Sequence, residues 1–241
     1  MRHAFFGDIH GNFDAFEAVA ADIKAQNVDR TYCLGDIVGY GAQPSECLAL
    51  IRQMGSPTVA GNHDFAAAEK IPLTHFNDFA RAAMLWTRDH LSVDERTWLA
   101  DLPLVRHLED FTLVHATLVQ PELFYYIETI EDARDCFRLM EKPLCFIGHS
   151  HLPVVFIEHP DAIDYQLDFG EPIPVASRMI VNPGSVGQPR DEDPRAAYCI
   201  YDTEQQSLVF RRVSYDIASA ARKVREAGLP EILAFRLEIG R

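Results

Sequence analysis

Five short segments of the sequence carry side chains that bind metal ions, each beside a glycine or at the end of an apolar run. The segments are Gly7-Asp8-Ile9-His10-Gly11-Asn12, Gly35-Asp36-Ile37-Val38-Gly39-Tyr40-Gly41, Gly61-Asn62-His63-Asp64, Val114-His115-Ala116 and Gly148-His149-Ser150-His151. Imidazole binds zinc, iron and manganese, whereas carboxylate favours harder cations. A mixed set of His, Asp and Asn without thiolate therefore indicates Mn, Fe or Zn and argues against a structural cysteine site.

The spacing within two of these segments brings pairs of metal-binding side chains to one side of the chain. Asp8 and His10 are two residues apart, as are His149 and His151. On a strand such pairs share a face, and on the turn that follows a strand both side chains can reach inward. One such segment alone is weak evidence, because a single His is more often a hydrogen-bonded core residue than a ligand. Five segments in one chain predict a common metal site.

The first part of the chain alternates short apolar runs with helical patterns. Strands are predicted over residues 3–7, 31–34 and 57–60, and helices over 12–26 and from 44 to just before Gly55. This βαβαβ order predicts parallel strands with right-handed crossovers. Ligands of such sheets gather beyond the carboxyl ends of the strands, which is where the metal-binding segments lie.

The second part of the chain is predicted to be more antiparallel. A hairpin is expected over residues 105–108 and 111–115, with further strands over 145–147, 154–157, 179–181, 197–201 and 208–213. Helices are expected over 74–91, 92–99, 131–140 and 216–227, and the aromatic residues of 74–91 are interpreted as core packing. No repeat or linker is visible, so residues 1–241 are predicted to form one α/β domain with two sheets and outer helices.

Composition excludes several classes of protein. The chain has 241 residues, a 48% hydrophobic fraction and a net charge of −14, which argues against a general nucleic-acid-binding face. No apolar run approaches the ~20 residues of a membrane span, so no membrane partner is expected. The five cysteines are widely spaced and contain no C-x-x-C pair, which predicts reduced thiols and a cytoplasmic protein.

The ordered segments resemble the calcineurin-like metallophosphoesterase superfamily, and in particular its small bacterial and archaeal phosphodiesterase-like branch. The family pattern is GDxHG, GDxxG, GNHD, a His at a strand end and GH-x-H, and it spans Asp8 to about Arg190 here. Ala116 and Ser150 depart from the usual Gly and Thr, but neither departure removes a ligand. The resemblance implies a four-layer α/β/β/α sandwich of two mixed sheets flanked by helices.

The resemblance also implies a role for each motif residue. Two divalent metal ions are expected, one bound by Asp8, His10 and His151 and the other by Asn62, His115 and His149. Asp36 would bridge the two ions. His63 would lie near the substrate phosphate without binding metal, and Asp64 would orient it.

The implied activity is hydrolysis of P–O bonds by a hydroxide that bridges the metals, with Mn expected to support turnover best. We expect a phosphodiesterase that acts on a small phosphorylated substrate. A phosphoprotein phosphatase or a dinucleoside polyphosphate hydrolase is the alternative, because these enzymes share the metal core and differ in the cleft walls. A non-catalytic metal-binding scaffold is less favoured, since His63 and all seven ligands are present. The sequence leaves the oligomeric state open and is compatible with a homo-oligomer.

Two further residues are candidates for binding substrate. Arg190 follows a turn, Asn182 to Gly187, and is suited to bidentate contact with phosphate, with a surface salt bridge to Asp191 or Glu192 as the alternative. Tyr40 is a candidate for stacking on substrate, although packing within its loop is the favoured interpretation. Tyr125 and Tyr126 are assigned to a possible lid from composition alone.

Overall fold

Two mixed sheets and eight α-helices form the protein in a computed structural model that describes residues 1–167 and 169–241. The strands are β1 Arg2–Phe6, β2 Arg30–Cys33, β3 Val105–His107, β4 Phe111–Val114, β5 Leu144–Phe146, β6 Val154–Glu158, β7 Ile163–Gln166, β8 Ile173–Pro174, β9 Met179–Asn182, β10 Ala196–Asp202 and β11 Ser207–Val213. The helices are α1 Phe13–Ala25, α2 Pro44–Met54, α3 Asn62–Ala67, α4 Asp78–His90, α5 Val93–Ala100, α6 Ile130–Leu139, α7 Ile217–Glu226 and α8 Glu231–Ile239.

The two sheets combine strands from distant parts of the chain. The first sheet has the order β2-β1-β10-β11-β8, and the second has the order β3-β4-β5-β9-β6-β7. In the first sheet β1 and β2 are parallel, whereas β10 pairs antiparallel with β1, so that His3 lies opposite Tyr201. In the second sheet β4, β5 and β9 are parallel neighbours. Each sheet therefore has a parallel part whose carboxyl ends can carry a site.

Apolar packing joins these sheets and helices into four layers. Between the sheets, the Phe5 and Phe146 rings stack with centroids 3.4 Å apart, and Phe111 meets Phe5 edge-on. A second core fills the space between the first sheet and α1 and α2, and a third joins the second sheet to α6. The mixed α/β sandwich predicted from the sequence is confirmed.

Some predicted elements differ from the structure. The expected third strand, residues 57–60, is reduced to a single parallel bridge between Cys33 and Thr58, because the amide of Ala60 donates to the carbonyl of Pro103. The helix predicted over 74–91 begins only at Asp78, after Asn77 caps it by accepting from the Ala80 amide. Strands β7 and β8 were not predicted. Within the described residues no helix is long and apolar enough to cross a bilayer.

Candidate metal centre

Four of the five predicted metal-binding segments occupy the loops that follow β1, β2, β4 and β5, and the fifth, Gly61 to Asp64, begins α3. Five of the expected ligands have positive φ angles near the left-handed region, namely Asp8, His10, Asp36, His149 and His151. A residue other than glycine rarely adopts this conformation, and each instance costs about 1–3 kcal/mol. Backbone strain of this kind clusters at functional sites, and here it turns the side chains of several loops toward one point.

Three histidines of the cluster are oriented by backbone carbonyls. The Nδ1 atom of His115 lies 2.7 Å from the Leu34 carbonyl oxygen, and that of His151 lies 2.7 Å from the Gln188 carbonyl oxygen. His10 makes the same type of contact with Val38 at 3.2 Å. A carbonyl oxygen only accepts, so Nδ1 carries a proton in each ring, and Nε2 is the nitrogen left to bind a metal. Histidines that bind metals are oriented in this way.

The Nε2 atoms of His10 and His151 face each other at 3.0 Å. Because both Nδ1 atoms donate to carbonyls, the two neutral rings direct lone pairs at each other, an arrangement that a cation between them would stabilise. Asp8 Oδ1 lies 3.5 Å from His151 Nε2 and 4.0 Å from His10 Nε2. Asp8, His10 and His151 thus offer three ligand atoms within 4.8 Å of one another, and these residues fit a metal ion.

A second group of donor atoms lies on the other side of Asp36. Asp36 Oδ2 is 3.3 Å from His115 Nε2 and 3.6 Å from His10 Nε2, and Asp36, His115 and His149 form another cluster within 4.8 Å. Asp36 Oδ2, His115 Nε2 and Asn62 Oδ1 are buried without a hydrogen-bond partner. Buried polar atoms without partners are costly, and metal coordination would satisfy them. By distance alone, His63 also groups with His10 and Asp36.

The charges of the cluster are out of balance without a cation. Burial raises the pKa of Asp8 to about 7, and the nearby Asp36 carboxylate adds to this increase. Burial lowers the pKa of His149 to about 3. Although burial opposes it, the Asp36 charge raises the pKa of His115 to about 9, and His115 in turn holds the Asp36 pKa well below its usual value. Several ionisable groups are thus buried close together, and each shifts the pKa values of its neighbours.

Asp64 has a different role from the one expected. Its Oδ2 accepts from the amides of Asp36 at 2.8 Å and Gly61 at 3.0 Å, and its Oδ1 accepts from Ile37 at 2.9 Å. The expected orientation of His63 by Asp64 is therefore wrong, because backbone amides occupy the carboxylate. Asp64 instead fixes the loop that carries Asp36.

His63 is held mainly by packing. Its Nδ1 lies 3.2 Å from Met84 Sδ, and its ring contacts Tyr40 and Phe76 at centroid distances of 4.5 and 4.9 Å. Its amide donates to Asp36 Oδ1 at 2.8 Å. Burial lowers the pKa of His63 to about 4. The Nδ1–Met84 contact leaves Nε2 as the ring nitrogen available on the cleft side.

A cleft of about 460 Å³ opens over the cluster and includes both secondary candidates. Arg190 lies over the Tyr40 ring, with its guanidinium carbon 6.0 Å from the ring centroid, and donates to Gln188 Oε1 at 3.0 Å. The alternative salt bridges of Arg190 are not formed: Asp191 pairs with Arg212, and Glu192 with Arg241. Tyr40 is buried, as its packing interpretation predicted, yet it also lines the cleft.

Sequence reasoning missed several residues of the cleft. His75 is not among the site residues predicted from the sequence, and Phe76 falls among the aromatic residues interpreted as core, but both line the cleft. Met84 behind His63 was also missed. Phe76 fits the helical spacing of the aromatic residues in this region, so the sequence placed it inside the helix predicted over residues 74–91. In the structure Phe76 lies before α4, which begins at Asp78, and the spacing therefore gave no sign of its place in the cleft.

Comparisons with known proteins agree with this geometry. A family model described as a calcineurin-like phosphoesterase superfamily domain matches residues 1–206. A crystal structure of a metallophosphoesterase from Sphaerobacter thermophilus is 40% identical, with a TM-score of 0.90 and coverage of 100% of this chain and 99% of that one. An uncharacterized protein of Methanocaldococcus jannaschii is 37% identical over 246 residues, which cover 99% of this chain and 98% of that protein.

A more distant relative has a named activity. The symmetrical bis(5'-nucleosyl)-tetraphosphatase of Actinobacillus succinogenes is 32% identical over 124 residues, which cover 48% of this chain and 44% of that protein. This match therefore spans less than half of the relative's length.

The chain belongs to the calcineurin-like phosphoesterase superfamily. With its clusters of His and Asp, it is a metal-dependent phosphoesterase that binds divalent metal.

Proposed function

We propose that this protein hydrolyses phosphodiesters with two divalent metal ions, and that Mn²⁺ supports the activity best. One ion would be held by Asp8, His10 and His151, and the other by Asn62, His115 and His149. Asp36 would bridge them. The observation that carries the proposal is Asp36 Oδ2, which is buried without a partner between His10 Nε2 and His115 Nε2.

When bound, such a metal pair would lower the pKa of a water molecule and neutralise charge on the phosphoryl group. The chain's own residues would orient the metal ligands and hold the bridging carboxylate in place. The carbonyls of Leu34, Val38 and Gln188 hold the histidine rings in the tautomer that leaves Nε2 free. Asp64 holds the Asp36 loop through backbone amides, so the bridging carboxylate need not reorganise during turnover.

Two residues of the cleft are proposed to contact the phosphate. His63 would donate a hydrogen bond through Nε2 to a phosphoryl or leaving oxygen, while Met84 and Phe76 fix its ring. Arg190 has a buried Nε without a partner and would bind a phosphoryl oxygen. Tyr40, which packs against both His63 and Arg190, would position them.

The charge of the cleft favours a diester over a polyphosphate. Among its described lining residues, Arg190 is the one with a fixed positive charge. A diester carries a single negative charge, whereas a dinucleoside polyphosphate carries several and would need more cationic partners. The volume of about 460 Å³ lies in the range of small-molecule sites, which supports a small substrate over a phosphoprotein.

A substrate panel tests the proposal directly. Chelator-treated protein, supplied with Mn, Fe, Co or Zn in turn, is assayed on bis(4-nitrophenyl) phosphate, 4-nitrophenyl phosphate, a dinucleoside tetraphosphate and a phosphopeptide. We expect the diester to have the highest kcat/KM, with Mn as the best metal and no turnover without metal. Faster hydrolysis of the tetraphosphate or the phosphopeptide would instead assign the protein to that alternative class.

A further inference from the structure

Two segments of the chain form walls of the cleft above the predicted metal centre. One wall is formed by residues 71–77, which lead into α4, and includes Ile71 and Phe76. The other is formed by residues 122–126, which follow Gln120. Gln120 and Phe124 both have positive φ, at 47° and 52°, so this second wall is in a strained conformation. Strain at residues other than glycine indicates that the wall has a specific shape to maintain.

The second wall exposes aromatic rings beside a polar centre. Tyr126 stacks on His149 with centroids 4.0 Å apart and planes at 21°, yet its side chain remains 46% exposed. One face of the Tyr126 ring therefore covers a predicted ligand, and the exposed part of the side chain, which lines the cleft, leaves the other face as the one that can receive a ligand. Tyr125 is 52% exposed in the same segment. Exposed aromatic side chains grouped in a cleft mark a binding surface rather than core packing.

Polar groups border the same aromatic surface. The exposed side chains of His75 and Asn77 lie on the first wall, and that of Glu122 lies on the second. They offer both donors and acceptors of hydrogen bonds. An aromatic face with polar groups at its margin matches a planar ring whose edge carries hydrogen-bonding atoms. A nucleobase has these properties, whereas a simple alkyl ester has neither.

We propose that this cleft binds the nucleobase of a nucleotide phosphodiester, with the base stacked on the free face of Tyr126. The proposal rests on the proposed diester hydrolysis and names its substrate class. The phosphate would lie against Arg190 and the metal centre, and the base would extend between the two walls. Tyr126 is a specificity residue in this arrangement, because it contacts the base and not the reacting phosphorus.

Competition between two product-like ligands isolates the contribution of the base. AMP and ribose 5-phosphate share the same sugar phosphate and differ by the base, and each is used to inhibit hydrolysis of bis(4-nitrophenyl) phosphate by the metal-loaded protein. Stacking on one aromatic ring contributes ~1–3 kcal/mol, so AMP should inhibit on the order of tenfold more tightly. Tyr126→Ala should remove most of this ratio, and Tyr126→Phe should keep it.

The control and the contrary outcomes separate the two proposals. Tyr165→Ala removes a tyrosine that is 57% exposed on β7, outside the cleft, and should leave the ratio unchanged. Equal inhibition by both ligands in the wild type would overturn the base site. An equal loss of affinity for both ligands in Tyr126→Ala would show that Tyr126 acts through His149 instead. Absence of hydrolysis would reject the diesterase proposal alone, because calorimetric titration of both ligands into metal-loaded protein still measures the ratio.

Discussion

At the scale of single residues, the orientation of the histidines decides the chemistry of the centre. The Leu34, Val38 and Gln188 carbonyls each accept from an Nδ1–H, so three imidazoles present Nε2 to one volume. His63 differs, because its Nδ1 faces Met84 Sδ and not a carbonyl oxygen, so the single ring proton can lie on Nε2, where it can donate to substrate. This difference supports a division between rings that bind metal and a ring that contacts substrate.

The division predicts different effects of two substitutions. His63→Ala should keep the metal content of the protein and lower kcat by about 10²–10⁴-fold, the range typical of a lost proton donor or acceptor. Asp36→Asn should lose metal and activity together, because the neutral amide weakens the attraction for both ions. Elemental analysis of each purified variant, combined with turnover of bis(4-nitrophenyl) phosphate, measures both quantities.

His159→Ala is a suitable control, since His159 is an exposed histidine paired with Asp164. It should match the wild type in metal content and rate. Loss of metal in His63→Ala would move His63 into the ligand set, which the distances to His10 and Asp36 permit. Undiminished turnover in the same variant would reject its contact with the phosphate.

The sequence predicted which residue types converge, but not how they are held. The convergence of Asp8, Asp36 and the histidines could be predicted because their motifs are local and follow strand ends. The partners of Asp64 were mispredicted, since the amides of Ile37 and Gly61 come into range only after two loops pack together. Contacts between distant residues leave no spacing pattern in the chain.

At the scale of elements, close packing between two loops fixes the position of Asp36. A Cβ atom added at Gly61 would lie 1.9 Å from Asp36 Oδ1 and 2.5 Å from the Asp36 amide nitrogen. Asp64, in the first turn of α3, binds the same loop. The loop after β2 and the start of α3 therefore behave as one rigid unit.

Gly61→Ala should therefore impair the site more than the fold. The methyl group must displace the Asp36 carboxylate, and a misplacement of about 1 Å can cost about 10²-fold in rate. We expect a loss of kcat/KM of that order, together with weaker metal binding in a titration. Gly55→Ala is the matched control: Gly55 has φ 62° in open space, so its substitution adds strain of about 1–2 kcal/mol away from the site.

The two variants distinguish instability from a site defect. Gly55→Ala should lower the melting temperature and keep the kinetics of the wild type. Wild-type kinetics in Gly61→Ala would show that the Asp36 loop is free to move, which would contradict the packing described here.

The helices and strands were predicted where local patterns decide them. Helix α1, capped by Asn12, and the hairpin of β3 and β4 are examples. The prediction of a strand at residues 57–60 was wrong. The Ala60 amide donates to the carbonyl of Pro103, and this partner is too remote in sequence for a local pattern to reveal. The pairing of β1 with β10 was likewise beyond a local pattern.

At the scale of the whole molecule, an acidic balance favours the binding of cations. The chain has 36 acidic and 22 basic residues, and Asp8, Asp36 and Asp64 are all buried at one site. Burial raises the pKa of Asp64 to about 7, as it does for Asp8. Divalent metal bound here would relieve repulsion between carboxylates and would satisfy the donor atoms that lack partners.

Metal should therefore stabilise the folded state. A ligand at about 100 times its Kd contributes ~2.7 kcal/mol, and a protein of this size gains about 2–4 °C per kcal/mol. Adding Mn²⁺ to chelator-treated protein should raise Tm by roughly 5–10 °C in a calorimetric scan. Asp110→Asn, an exposed turn residue, should preserve this shift, and Asp36→Asn should abolish most of it. Identical melting curves with and without metal would contradict the assignment of the centre.

The interleaved sheets also bear on domain organisation. The first sheet contains β1 and β2 beside β10 and β11, so neither half of the chain completes it alone. We propose that residues 1–241 unfold as one domain. The described residues of α7 and α8 pack onto the same body through contacts with α1 and α4.

Because β1 pairs with β10, the first sheet can be completed only late during synthesis on the ribosome. The Asp8 loop emerges early, but its strand lacks one neighbour until Ala196–Asp202 has been translated. The Ser185 hydroxyl that donates to the Asp8 carbonyl, at 2.8 Å, arrives only shortly before. A nascent chain would thus contain Asp8 and Asp36 long before the proposed site is complete, so we expect metal loading at the end of translation or after release.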